Sequence, residues 1–182
     1  MKRAVAAFIG FGLFALVLLV LIQGKAQSSA SDELIALAEK VNVQMEQAFS
    51  EASLSWIAAN FEDVKASTQR VLNILVGQED PDYNPIDSSA DDATGLLDNL
   101  MALKTMLEET PWADFAITVD SIFTFSDWAR INAKAVLEDT DEQISRVKIH
   151  KAEAFLRAAL GCVDGLPTSG GAKTILQALK GS

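Results

Sequence analysis

One cysteine and one histidine in 182 residues set the first limits. With Cys162 alone an intrachain disulfide is impossible, so a folded domain must rest on its apolar core rather than on covalent staples. As a small residue just after a helix end, Cys162 is expected to be buried; a link between two chains is the other use open to it. His150 alone cannot build a His-rich metal or haem site, and only nearness in sequence to Cys162 would bring it to a nucleophile. It lies between Val147 and Ala154, flanked by Lys148 and Lys151, so an imidazole packed on the inner edge of a helix is expected.

Other chemistry is missing too. The stretch Gly165 to Thr174 has the glycines and Lys173 of a phosphate-binding loop at a glance. The lysine comes two residues late and no strand precedes it, so the backbone cradle is absent and a linker is expected. The pairs Glu62-Asp63 and Glu108-Glu109 read as surface carboxylates near helix ends, without the cleft that glycoside chemistry needs. Trp56, Trp112 and Trp128 are expected to cover the core. Basic residues are scarce: 15 Lys and Arg stand against 25 Asp and Glu, a net charge of −10. Such a surface repels nucleic acid and suits cations, basic partners or plain solubility. No enzyme is indicated.

What is present begins with an address. Met1-Lys2-Arg3 is a basic leader, and Ala4 to Ile22 follow without a charge or strongly polar side chain. As a helix this run spans about 28 Å, close to the hydrocarbon thickness of a bilayer. The positive end stays in the cytoplasm and sends the remainder outward. The run is longer than the apolar core of a cleaved signal, which favours a signal-anchor in the cytoplasmic membrane; small residues near Gly24, Ala26, Ser28 and Ala30 leave cleavage and secretion open. No cysteine ends the run, which argues against a lipid anchor. Residues 1–23 are thus the targeting segment and 24–30 a polar linker.

The remainder reads as helices. Ser31 is placed to cap the first, and Leu34, Leu37, Val41, Met45, Ala48 and Ala52 recur at helical spacing. Ser50 to Ser53 are a potential break, after which Ile57, Phe61, Val64, Thr68, Val71 and Leu75 continue to Gly77. Asp91 or Asp92 is expected to cap the next helix, with Leu96, Leu97, Leu100, Leu103 and Leu107 on its inner face and Gly95 inside it at some cost. Thr110-Pro111 reads as a restart, with Trp112, Phe115, Val119, Ile122, Ala129, Ala133 and Val136 following. Thr140 with Gln143 forms a capping box for a last main helix lined by Ile144, Val147, Ala154 and Ala158 and ended by Gly161. One apolar stripe per helix predicts an all-α, up-and-down four-helix bundle over residues 31–164, its first helix one bent rod or two. Residues 165–182 are expected to be a flexible tail with a short helix. Arg70 to Gly77 and Ala154 to Gly161 end their helices alike, a similarity no greater than any two amphipathic helices closing on glycine would show.

The loop from Gln78 to Ala90 carries the one candidate ion site. Asp80, Asp82, Asn84 and Asp91 fall at positions 1, 3, 5 and 12 of a calcium-binding loop, with Asp87, Ser88 and Asp92 as further oxygens. Pro85 replaces the glycine at position 6, and Asp91 is shorter than the glutamate that chelates from position 12. A solvated loop whose acids cap helices is the simpler expectation, and calcium is the only cofactor in view.

The run Val71-Leu-Asn-Ile-Leu-Val-Gly77, with Asp80-Pro-Asp-Tyr-Asn84, Asp91-Asp92 and Gly95-Leu-Leu97, resembles a segment of an uncharacterised family of secreted bacterial helical proteins. Those proteins often carry histidines just before the Asn-Ile pair. Ser67 to Arg70 here contain none, so no metal or haem role carries over, and the resemblance implies no activity. Three functions stay in contention: a non-enzymatic extracytoplasmic module acting through an unknown protein partner or structurally; a calcium-responsive binding module using residues 80–92; and an enzyme whose site is not recognised. A periplasmic sensor domain is a variant of the first, and it lacks a cytoplasmic output domain.

Overall fold

The computed structural model describes residues 32–85, 93–163, 166–167 and 170–181. The chain forms two compact units, Met1–Ala36 and Leu37–Ser182. In the first, the described residues 32–36 are helical. The targeting segment, the linker and the Ser31 cap lie outside the described residues. Among those described, no helix is long and apolar enough to cross a membrane.

The architecture is all-helical. Helix α1 covers residues 32–57, and α2 (Phe61–Val76), α3 (Leu96–Glu108), α4 (Phe115–Glu138), α5 (Glu142–Leu160) and α6 (Ala172–Lys180) follow. Helix α1 runs through the Ser50–Ser53 stretch without a break. The chain turns instead at Asn60, whose side chain accepts from the Asp63 amide at 2.9 Å while its own amide group donates to the Asp63 carboxylate at 2.8 Å. Glu62 and Asp63 then favour the positive end of α2. The α1–α2 corner is stapled from inside: buried Ser55 donates to the Val64 carbonyl at 2.8 Å, and its hydroxyl lies 2.9 Å from that of Thr68.

Several predicted ends move. Gly95 is the N-cap of α3 rather than an interior residue, with Asp98 in the first turn. Helix α4 starts at Phe115, four residues after Pro111. The reason is Thr110, whose hydroxyl donates back to the Leu107 carbonyl at 2.8 Å and accepts from the Trp112 amide at 3.2 Å. It closes α3 and a turn instead of capping α4. At α5 the cap is Asp141, not Thr140: its carboxylate accepts from the amides of Gln143 and Ile144, a charge-assisted contact at the helix N-terminus.

Helix α4 is central and packs against α5, α2 and α3. Val119, Ile122, Ala129, Ala133 and Val136 are buried along it, facing Val64, Val71 and Leu75 of α2, Leu100, Leu103 and Leu107 of α3, and Ile149, Ala152 and Leu156 of α5 in a common core. The stripe predicted for α5 is therefore out of phase. That helix has two apolar stripes, and periodicity alone cannot rank them; the one with the bulkier pair, Ile149 and Leu156, is inside. Ile144, Val147, Ala154 and Ala158 are exposed.

Two glycine pairs bring helix ends together. Gly77 ends α2 at φ +76°, and a Cβ on it would lie 2.9 Å from the Ala93 carbonyl oxygen and against the backbone of Gly95. Gly161 ends α5 at φ +73°, and a Cβ there would lie 2.5 Å from the Gly171 Cα. Each pair thus joins a helix end with positive φ to the N-cap of the next helix, α3 or α6. Between the second pair the backbone of Cys162–Val163 runs antiparallel to Leu166–Pro167. The stretch expected as a flexible tail ends in α6, which buries Ala172, Ile175 and Leu179. Asn42 of α1 donates to the Ala172 carbonyl at 3.1 Å, and Glu46 and Glu39 pair with Lys173 and Lys180.

Candidate functional site

The acidic loop hangs from a buried amide. Asn73, fully buried in α2, accepts from the Asn84 backbone N–H at 2.9 Å and donates to the Asn84 carbonyl at 2.8 Å. Its side chain thereby stands in for a strand edge, satisfying both backbone groups of one loop residue. Gln69, one turn earlier, donates to the Asn73 side-chain oxygen at 2.9 Å and to the Asp82 carbonyl at 3.1 Å. The far end of the loop is held as well. Gln78 N–H donates to the Ala93 carbonyl at 2.9 Å. Gln44 of α1 donates to the Thr94 carbonyl at 2.9 Å and accepts from Asn99 of α3 at 2.8 Å.

The predicted calcium ligands sit in this frame as follows. Asp80 accepts from the Asp82 amide at 2.8 Å, closing a local turn. Both carboxylate oxygens of Asp82 accept from Lys134 of α4 at 2.7 Å. That hydrogen bond holds the Lys134 ammonium above its ordinary pKa, with the Asp82 charge adding to the effect. The backbone of Asn84 is spent on Asn73. Asp91 lies outside the described residues, as do Asp87, Ser88 and Asp92. For calcium to use Asp82, the Lys134 ammonium has to leave, and Asp80 and Asp82 are the only carboxylates of the predicted set in the described loop. Among the described residues, no group of three or more His, Cys, Asp or Glu is placed to hold a metal ion.

His150 is not packed inside but exposed. Its ring stacks on Trp56 of α1 with centroids 4.5 Å apart and 26° between planes. Its Nδ1 lies 3.0 Å from the Glu153 carboxylate, whose other oxygen is 3.5 Å from the Ser53 hydroxyl. Glu153 stands between serine and imidazole, so His150 is not positioned to take a proton from Ser53, as nucleophilic catalysis requires. Beside it, Arg146 donates to the carbonyls of Trp56 and Ala58 at 3.0 and 2.8 Å, capping the end of α1. Trp128 is likewise an outer residue, clustered with Phe125 and with Phe155 of α5. Of the three tryptophans expected to cover the core, Trp56 and Trp128 are 39% and 45% exposed and Trp112 is half-buried.

The clamp formed by Asn73, Gln69, Lys134, Gln44 and Asn99 has no spacing signature, because its members come from four helices. One signal was available: Asn73 lies between Leu72 and Ile74 at the buried end of an apolar helix, where an amide must find partners. No family model, curated protein or solved structure matches the chain.

Proposed function

We propose that the chain is a non-enzymatic helical module that works outside the cytoplasm by binding another protein. The apolar run Ala4 to Ile22 behind Lys2 and Arg3 supports the address; it stays as an anchor or is removed on export. In this reading α1 and α2 are the two halves of one arm of an up-and-down four-helix bundle, α3, α4 and α5 are the other arms, and α6 closes one end.

The observation that carries the binding role is the second apolar stripe. On α5, Ile144 and Val147 are 49% and 54% exposed, and on α4, Trp128 and Ile131 are 45% and 50% exposed. Burying one such side chain is worth roughly 1.5–3 kcal/mol. The monomer gains about half of that, and a partner covering these outer faces gains the remainder. The test is a photo-crosslinking residue placed singly at Val147, at Trp128 and at Glu109, a distant exposed position. A discrete heavier adduct from the first two and none from Glu109 is expected. Equal or absent adducts at all three, in folded protein, contradict the binding role.

A further inference from the structure

We propose that the groove between the start of the acidic loop, α3 and α4 binds a small organic cation carrying an apolar body. The groove has a volume of about 690 Å³, within the range of small-molecule sites. Part of its lining is apolar: Leu97 and Met101 from α3 and Phe123 from α4 contribute to it, and Met101 is half exposed. Its charged groups are mostly acidic. Glu79, Asp80, Asp98 and Asp127 line it against a single cation, Arg130. Arg130 is spent within the wall, 2.8 Å from the Asp127 carboxylate. One oxygen of Asp80 is taken by the Asp82 amide. Glu79 and Asp98 have no hydrogen-bond or ion-pair partner among the described residues. Two carboxylates without an ion-pair partner among the described residues thus line the same groove as three apolar side chains, on a chain of net charge −10.

Charge complementarity selects the occupant. An anion is repelled by the carboxylates and gains only the apolar lining, while an inorganic cation gains only the carboxylates and leaves Leu97, Met101 and Phe123 uncovered. A primary ammonium or guanidinium on an alkyl or aryl body uses both, its head between Glu79 and Asp98 and its body along Met101 and Phe123. This groove shares no residue with the outer stripe of α4 and α5, so neither proposal depends on the other.

The test is calorimetric titration of the full chain with octylammonium, with octanoate as the same tail bearing the opposite charge, and with tetramethylammonium as a head without a tail. One-to-one binding of octylammonium and none of octanoate or tetramethylammonium is expected. The double variant Glu79→Gln/Asp98→Asn should weaken octylammonium about tenfold or more, the scale of one lost charge-assisted contact, with an unchanged melting curve. The double variant Glu108→Gln/Glu109→Gln, which removes the same charge elsewhere, should bind like the wild type. Comparable binding of octanoate, equal weakening by both double variants, or no octylammonium binding at millimolar concentration overturns the proposal.

Discussion

Replacing Gly95 by alanine separates close approach from backbone strain. Gly95 has an ordinary φ of −68°, so alanine needs no unusual conformation there. A Cβ would nevertheless lie 2.5 Å from the Val76 carbonyl oxygen and 2.7 Å from the Gly77 nitrogen, both backbone atoms that cannot swing aside. Forcing a methyl into packed structure costs roughly 1–3 kcal/mol. Two smaller effects oppose each other: alanine is a poorer N-cap by about 0.5–1 kcal/mol, and it lowers the entropy of the unfolded chain by a similar amount, about 0.4–1 kcal/mol. The net expectation is a loss of roughly 1–3 kcal/mol, large against the 5–15 kcal/mol that holds a domain together. Gly170 is the matched control: its φ is +108° with nothing among the described residues within 4 Å of a Cβ, so Gly170→Ala carries strain alone. Gly77→Ala carries both penalties and should be the worst of the three, at roughly 2–6 kcal/mol. Urea unfolding followed by far-UV circular dichroism measures all three. A Gly95→Ala chain within about 0.5 kcal/mol of the wild type, the usual scatter of a surface substitution, refutes the close crossing of the α2 and α3 ends.

Asn73→Ala strips both partners from the Asn84 backbone and should cost about 1–3 kcal/mol, read by the same unfolding curves; a neutral outcome means the loop does not hang from that amide. In the wild type, millimolar calcium should leave the melting midpoint unchanged, because Lys134 already fills the Asp82 carboxylate; a rise that grows with calcium concentration replaces this view with the calcium-responsive one. Lys148 hydrogen-bonds Asp139 and, with its charge as a further cause, holds that carboxyl below its ordinary pKa. The resulting stability is present above the usual carboxylate pKa and is lost as pH falls through the lower folded value. Asp139→Asn should therefore be less stable than the wild type at pH 7 and lose less on acidification below about pH 4; parallel acid limbs for the two chains exclude the contact as a contributor.

Helix existence was legible because it rests on period: Val41, Met45, Val64, Leu103, Val119 and Val136 repeat at steps only a helix explains, and all are buried. Helix ends were less so, since a hydroxyl such as that of Thr110 has two uses and only the folded chain shows which. The phase of α5 is not legible in the sequence, for a physical reason. Ile144, Val147, Ala154 and Ala158 form as regular a stripe as Ile149, Ala152, Leu156 and Ala159, and the choice between them belongs to α4, a neighbour distant in sequence. The acidic loop was visible as carboxylates, but what each carboxylate does was not: Asp82 is defined by Lys134, 52 residues away. Sequence alone cannot tell the similar closures on Gly77 and Gly161 from coincidence, and their partners Gly95 and Gly171 emerge only when the chain is folded.

The measurement that bears most directly on the proposed role is the sidedness of the helical domain. External protease added to intact spheroplasts of a bacterial host making the full chain should degrade residues 32–181 while a cytoplasmic marker survives. Degradation only after the membrane is lysed, in step with that marker, would place the domain inside the cell and contradict an extracytoplasmic module.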